Sequence, residues 1–120
     1  MKLIIAGSRD FNNYKTLEIE TSKFIRDHTY NEPITVVCGM ARGADLLGKK
    51  FAEENSYNVI ERPANWILHG KSAGYRRNEE MATISTHCIV FRVGGESSKG
   101  STHMINLAKK HELVLKVIDL

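Results

Sequence analysis

Cysteine is scarce in this chain of 120 residues, which has only two. Cys38 and Cys88 both lie in apolar runs, where a free thiol behaves as a small buried hydrophobe. A disulfide-stapled secreted scaffold needs more cysteine, and a metal site needs more ligands than this pair supplies. The expectation is two free thiols, no metal and a cytoplasmic protein. Long hydrophobic runs are missing as well. Leu3 to Ala6 and Cys88 to Phe91 fall far short of a membrane span. Met1-Lys2 leads straight into an apolar strand with no small-residue cleavage site behind it, so no secretory signal is expected. Strong charge of one sign is absent too, with 17 basic residues against 14 acidic ones. Lys49-Lys50 and Lys109-Lys110 are short pairs on helix faces rather than a basic stripe, which argues against a nucleic-acid partner.

What is present is ordinary for a folded protein: 42% hydrophobic and 26% charged residues. The length suits one domain over residues 1–120, built round one core. Short β-branched runs alternate with segments of helical period. Strands are expected at Lys2 to Ala6, Ile34 to Cys38, Tyr57 to Ile60, His87 to Val93 and Leu113 to Ile118. Helical spacing joins Tyr14, Leu17, Phe24, Ile25 and His28, with Asn12 or Asn13 as cap, and recurs from Ala44, from about Tyr75 to Ile84, and from Ser101 to Lys110. Strands that are apolar throughout imply burial on both faces, and the helices between them supply parallel crossovers. The fold class is therefore α/β: a doubly wound, three-layer α/β/α sandwich on a mostly parallel five-stranded sheet.

In such sheets ligands bind beyond the carboxyl ends of the strands, where the strand order reverses. The unusual residues gather there: Gly7-Ser8-Arg9-Asp10, then Gly39 to Asp45 with Arg42 and Gly43, then Gly94-Gly95 to Thr102 with Ser98, Gly100 and Ser101. Glycine permits close approach of a ligand, and a helix starting just beyond offers unpaired amides to an anion. Neither the P-loop nor the G-x-G-x-x-G pattern occurs. A long connection, Pro63 to Asn78, holds the lone Trp66 together with His69, Arg76, Arg77 and Asn78. A loop of that length is functional or disordered, and its tryptophan argues for a packed one. Arg76 and Arg77 at a helix start are placed to grip phosphate, or else to pair with Glu79, Glu80 or Glu61. Trp66 would then plug the sheet edge.

Catalytic signals are thinner. No metal-ligand spacing of histidines occurs, and Ser8 has no base partner in sequence. His69 and His103 are the histidines nearest the loops. Asp45 and Glu79 are the carboxylates expected to face the rim, each able to act as a general base, orient an arginine or bond a ribose hydroxyl.

The same motifs carry a family resemblance. Ala6-Gly-Ser-Arg-Asp-Phe11, Cys38-Gly-Met-Ala-Arg-Gly-Ala-Asp45, Pro63-Ala-Asn-Trp66 with His69 to Asn78, and Gly94-Gly95 with Ser98 to Thr102 together resemble the YspA-like branch of the SLOG superfamily. The resemblance implies a Rossmann-like fold, a site for a nucleotide or ADP-ribose-type ligand, no separate cofactor, a bacterial or phage source, and a homodimer or higher homo-oligomer. SLOG relatives include LOG phosphoribohydrolases, DNA-binding DprA proteins and antiphage sensor domains. The enzymatic relatives carry Pro-Gly-Gly-x-Gly-Thr-x-x-Glu, whereas here His103 and Met104 stand where the acid belongs. The functional expectation is a binding module that senses or sequesters such a ligand. An N-glycosidic hydrolase acting through Asp45 or Glu79 comes second, and a DprA-like DNA binder third.

Overall fold

The computed structural model describes residues 1–120. In chain order the elements are β1 (Lys2–Gly7), α1 (Tyr14–His28), β2 (Thr35–Cys38), α2 (Ala44–Glu54), β3 (Asn58–Glu61), α3 (Trp66–His69), α4 (Ala73–Ile84), β4 (His87–Arg92), α5 (Lys99–Lys110) and β5 (Val114–Asp119). The five strands form one sheet in the order β3-β2-β1-β4-β5, and every pairing is parallel. The fold is α/β and Rossmann-like, as the apolar runs imply.

Burial on both faces explains the continuous hydrophobicity of β1. Leu3 and Ile5 point to one side, where they pack with Leu17 and Phe24 of α1 and with Phe51 of α2. Ile4 and Ala6 point to the other, against Met81 of α4 and Met104 and Ile105 of α5. All of these are at most 6% exposed. Asn13 starts α1, its side chain accepting from the Thr16 amide at 3.1 Å. Cys38 and Cys88 are free and buried.

The connection from Pro63 to Asn78 differs from the expected loop. Asn65 accepts from the Leu68 amide at 3.0 Å and opens α3, a short 3-10 turn follows over Gly70–Ser72, and α4 begins at Ala73 rather than Tyr75. Trp66 does not plug the sheet edge, the alternative reading of this segment: it is 52% exposed, and Ile67 beside it is fully exposed. No helix is long and apolar enough to cross a membrane.

Candidate functional site at the β1–β4 switch

Strand order reverses between β1 and β4, and a cavity of about 440 Å³ opens beyond their carboxyl ends. One wall comes from the loops after β1 and β2. Gly7 is fixed by space: a Cβ there would stand 2.1 Å from the Phe91 carbonyl oxygen of β4. The chain can therefore press against β4, and the Ser8 amide donates to Phe91 O at 3.0 Å. Gly43, at φ +88°, lies against the Ser8 and Arg9 carbonyls and turns the second loop into α2.

The opposite wall is the start of α5. Ser98 occupies its capping position, yet its hydroxyl makes no bond to a helix amide. It bonds instead to the hydroxyls of Ser8 at 2.7 Å and Ser101 at 2.9 Å. Ser8 Oγ in turn accepts from the Val93 amide at 2.8 Å. The first amides of α5 have no partner within the helix, and Ser98, Lys99, Gly100 and Ser101 line the cavity at the positive end of its dipole. An asparagine caps α1 and α3, whereas α2 and α4, like α5, start without a side-chain cap.

Charge around the cavity has one dominant sign. Arg9, Lys71, Arg77 and Lys99 line it, against the carboxylates of Asp10 and Asp45. Arg77 is held by two bonds, Nη1 donating to Gly39 O at 2.5 Å and Nε to Asn78 Oδ1 at 2.9 Å. Asn78 is held in its turn by His103 Nδ1 at 3.2 Å, and His103 packs edge-on to Tyr75. Burial lowers the pKa of His103, which favours the neutral ring that this contact requires.

Of the two acids, Asp45 is the buried one. It is 5% exposed, and its Oδ2 accepts a bond from the Ala41 amide at 3.3 Å. Burial pushes its pKa up to about 6, against the opposing pull of Arg77, the Ala41 amide and Arg9. A Cβ on Gly39 would stand 2.6 Å from Asp45 Oδ2 and 3.0 Å from Arg77 Nη1, so the glycine leaves room for both groups to approach the same point. A carboxylate with so few partners in so dry a place is available to a donor on a ligand. No three His, Cys, Asp or Glu side chains gather closely enough to hold a metal ion.

The expected residues thus divide. Gly7, Ser8, Arg9, Asp45, Trp66, Arg77, Asn78, Ser98, Gly100 and Ser101 line the cavity. Gly39 and Arg42 line a smaller hollow beside it. Gly43, His69, Gly94 and Gly95 shape the loops without lining either. Arg76 turns away, its Nε donating to Ser72 Oγ at 3.0 Å. Thr102 faces Arg92, and Glu79 faces Lys110 and His111 at the far end of α5. Lys71, Tyr75 and Lys99 also line it without having been named as candidate site residues from the sequence. Two lysines and a tyrosine in polar stretches give no periodic signal that could have marked them.

Comparison with known proteins bears on this arrangement. Gene 61 protein of Mycobacterium phage D29 is similar to this chain, with 31% identity over 115 residues, covering 91% of this chain and 89% of its own length. No solved structure matches. The model of the YspA, cpYpsA-related SLOG family matches residues 1–69, a stretch that carries Gly7 to Arg9, Gly39 to Asp45 and Trp66. The chain belongs to the YspA, cpYpsA-related SLOG family.

Proposed function

We propose that this protein binds a phosphate-bearing, nucleotide-derived small molecule in the β1–β4 cavity, acting as a sensor or sequestering protein. The observation that carries the reading is the uncapped start of α5, whose Ser98 hydroxyl is turned to Ser8 and Ser101 while four cations face two carboxylates round the same space. Helix amides, hydroxyls and guanidinium forks are the groups that hold phosphate in a water-poor site. The volume suits a ligand of nucleotide size. Family membership supports a nucleotide-related ligand at this coarse level.

Calorimetric titration with AMP, ADP, ADP-ribose and adenosine tests the reading. Phosphate-bearing compounds bind, adenosine binds far more weakly, and added salt reduces the difference. Adenosine binding as tightly as AMP would remove phosphate from the account.

A second reading, N-glycosidic hydrolysis, is favoured by the buried Asp45 with its pKa near 6, a value suited to a general base. Against it, Met104 lines the cavity and Glu79 does not. Incubation with AMP therefore releases no adenine above background. Multiple-turnover release abolished by Asp45→Asn would put the enzyme reading first.

A further inference from the structure

A second hollow of about 320 Å³ adjoins the cavity and shares Arg9, Ala41, Trp66 and Arg77 with it. Its chemistry is different. No side-chain hydroxyl and no carboxylate lines it; Met40, Pro63, Ala64 and Trp66 give it apolar walls, with Arg9, Arg42 and Arg77 beside them. Met40 adopts φ +63°, a left-handed conformation that non-glycine residues rarely take, and it does so at the carboxyl end of β2 where the hollow begins. Trp66 stays 52% exposed although it is the largest apolar side chain of the region. An apolar chamber with guanidinium groups and an open indole is suited to a flat aromatic ring, which stacks on tryptophan and on arginine planes. A second phosphate would find arginines there, but no side-chain hydroxyls.

We propose that this second hollow is the subsite for a nucleobase-type ring, joined through a sugar passing Arg9 and Arg77 to the phosphate at α5. The inference rests on the phosphate reading above and adds the ligand's direction: ring towards Pro63 and Met40, phosphate towards Ser98 and Ser101. The ligand class is then a nucleotide rather than a sugar phosphate or a polyphosphate.

The test compares AMP, ribose 5-phosphate and pyrophosphate by calorimetry on the wild-type chain and two variants. Ala64→Trp fills the hollow; Met40→Gly removes one wall and suits the left-handed backbone. AMP binds the wild type about tenfold to a hundredfold more tightly than ribose 5-phosphate, the advantage expected from stacking a base. Both variants bring AMP close to the ribose 5-phosphate affinity while leaving the latter within about twofold of wild type. Equal wild-type affinities for AMP and ribose 5-phosphate overturn the ring subsite and leave the phosphate site standing, as does an AMP advantage that survives both variants. Pyrophosphate binding more tightly than AMP assigns the hollow to a second anion and overturns the proposal. Failure of all three probes removes the phosphate reading itself and the subsite with it.

Discussion

The glycines of the loops on the two sides of the cavity have opposite surroundings. In the wall after β1 and β2, added methyl groups would strike backbone: Phe91 O from Gly7, and the Ser8 and Arg9 carbonyls from Gly43. In the wall before α5, Gly95 and Gly100 have nothing within 4 Å of an added Cβ. The first loop uses glycine to pack, and that wall is part of the fold. The second leaves open space beside Gly95 and Gly100, and that space is where the proposed ligand would sit. One residue type in one kind of loop thus serves stability on one side of the site and access on the other.

Substitutions can break this contrast. Gly7→Ala has the largest expected effect, a loss on the order of 3 kcal/mol or more, because the methyl meets a strand carbonyl that cannot move without opening the β1–β4 pairing. A urea midpoint equal to wild type would show that the wall is softer than its geometry. Arg77→Ala comes next, weakening binding of ADP or AMP about tenfold to a hundredfold, as loss of a charge-assisted bond of about 1.5–3 kcal/mol requires. Arg76→Ala, whose guanidinium is engaged with Ser72, changes affinity less than about twofold. Equal losses for the two would mean that α4 presents a different face to the ligand.

Asp45→Asn acts with a sign set by burial. The folded state raises the pKa of this carboxyl from 3.8 to about 6, so its ionised form is the costly one. The stabilisation from Asp45 is complete below about pH 4 and lost as pH rises through about 6. The asparagine variant is therefore more stable than wild type at pH 7.5, by at most roughly 3 kcal/mol, and the two converge near pH 4. Denaturation at the two pH values measures the difference; a constant offset would assign the effect to packing instead. Gly100→Ala is the smallest. With open space and helical backbone it gains about 0.5–1 kcal/mol in stability. A fall in nucleotide affinity alongside that gain would locate the phosphate against the Gly100 amide.

Much of the fold was legible because β1, β2 and β4 are buried on both faces, and nothing but apolar residues can occupy such strands. Element starts were less so. α5 begins at Lys99 rather than Ser101, and α4 at Ala73, because their first turns carry glycine and polar residues with no apolar period. The four-residue α3 was invisible, since so short a helix depends on the Asn65 cap and its surroundings rather than on propensity. The glycine loops of the site could be read, because their spacing follows strand ends. The direction of a side chain on α4 could not. Arg76 and Arg77 are neighbours about 100° apart round the helix, and only the packing of α4 against β2's loop decides which one reaches Gly39. Glu79, two residues on, is carried to the α5 terminus by the same rotation.

The position of β1 at the centre of the sheet has a consequence for the order in which the molecule assembles. Leu3 pairs with Val36 on one side and with His87 on the other. During synthesis the first partner emerges soon, and the β3-β2-β1 half can begin to form while the second partner has not been made. The opposite edge of β1 then waits, its amides and carbonyls unpaired, until the chain beyond α4 arrives. Contacts across such a sequence separation close slowly, and an open central edge meanwhile invites pairing with other nascent chains. The cavity beyond β1 and β4, which needs both edges of β1, is among the last features of the protein to exist.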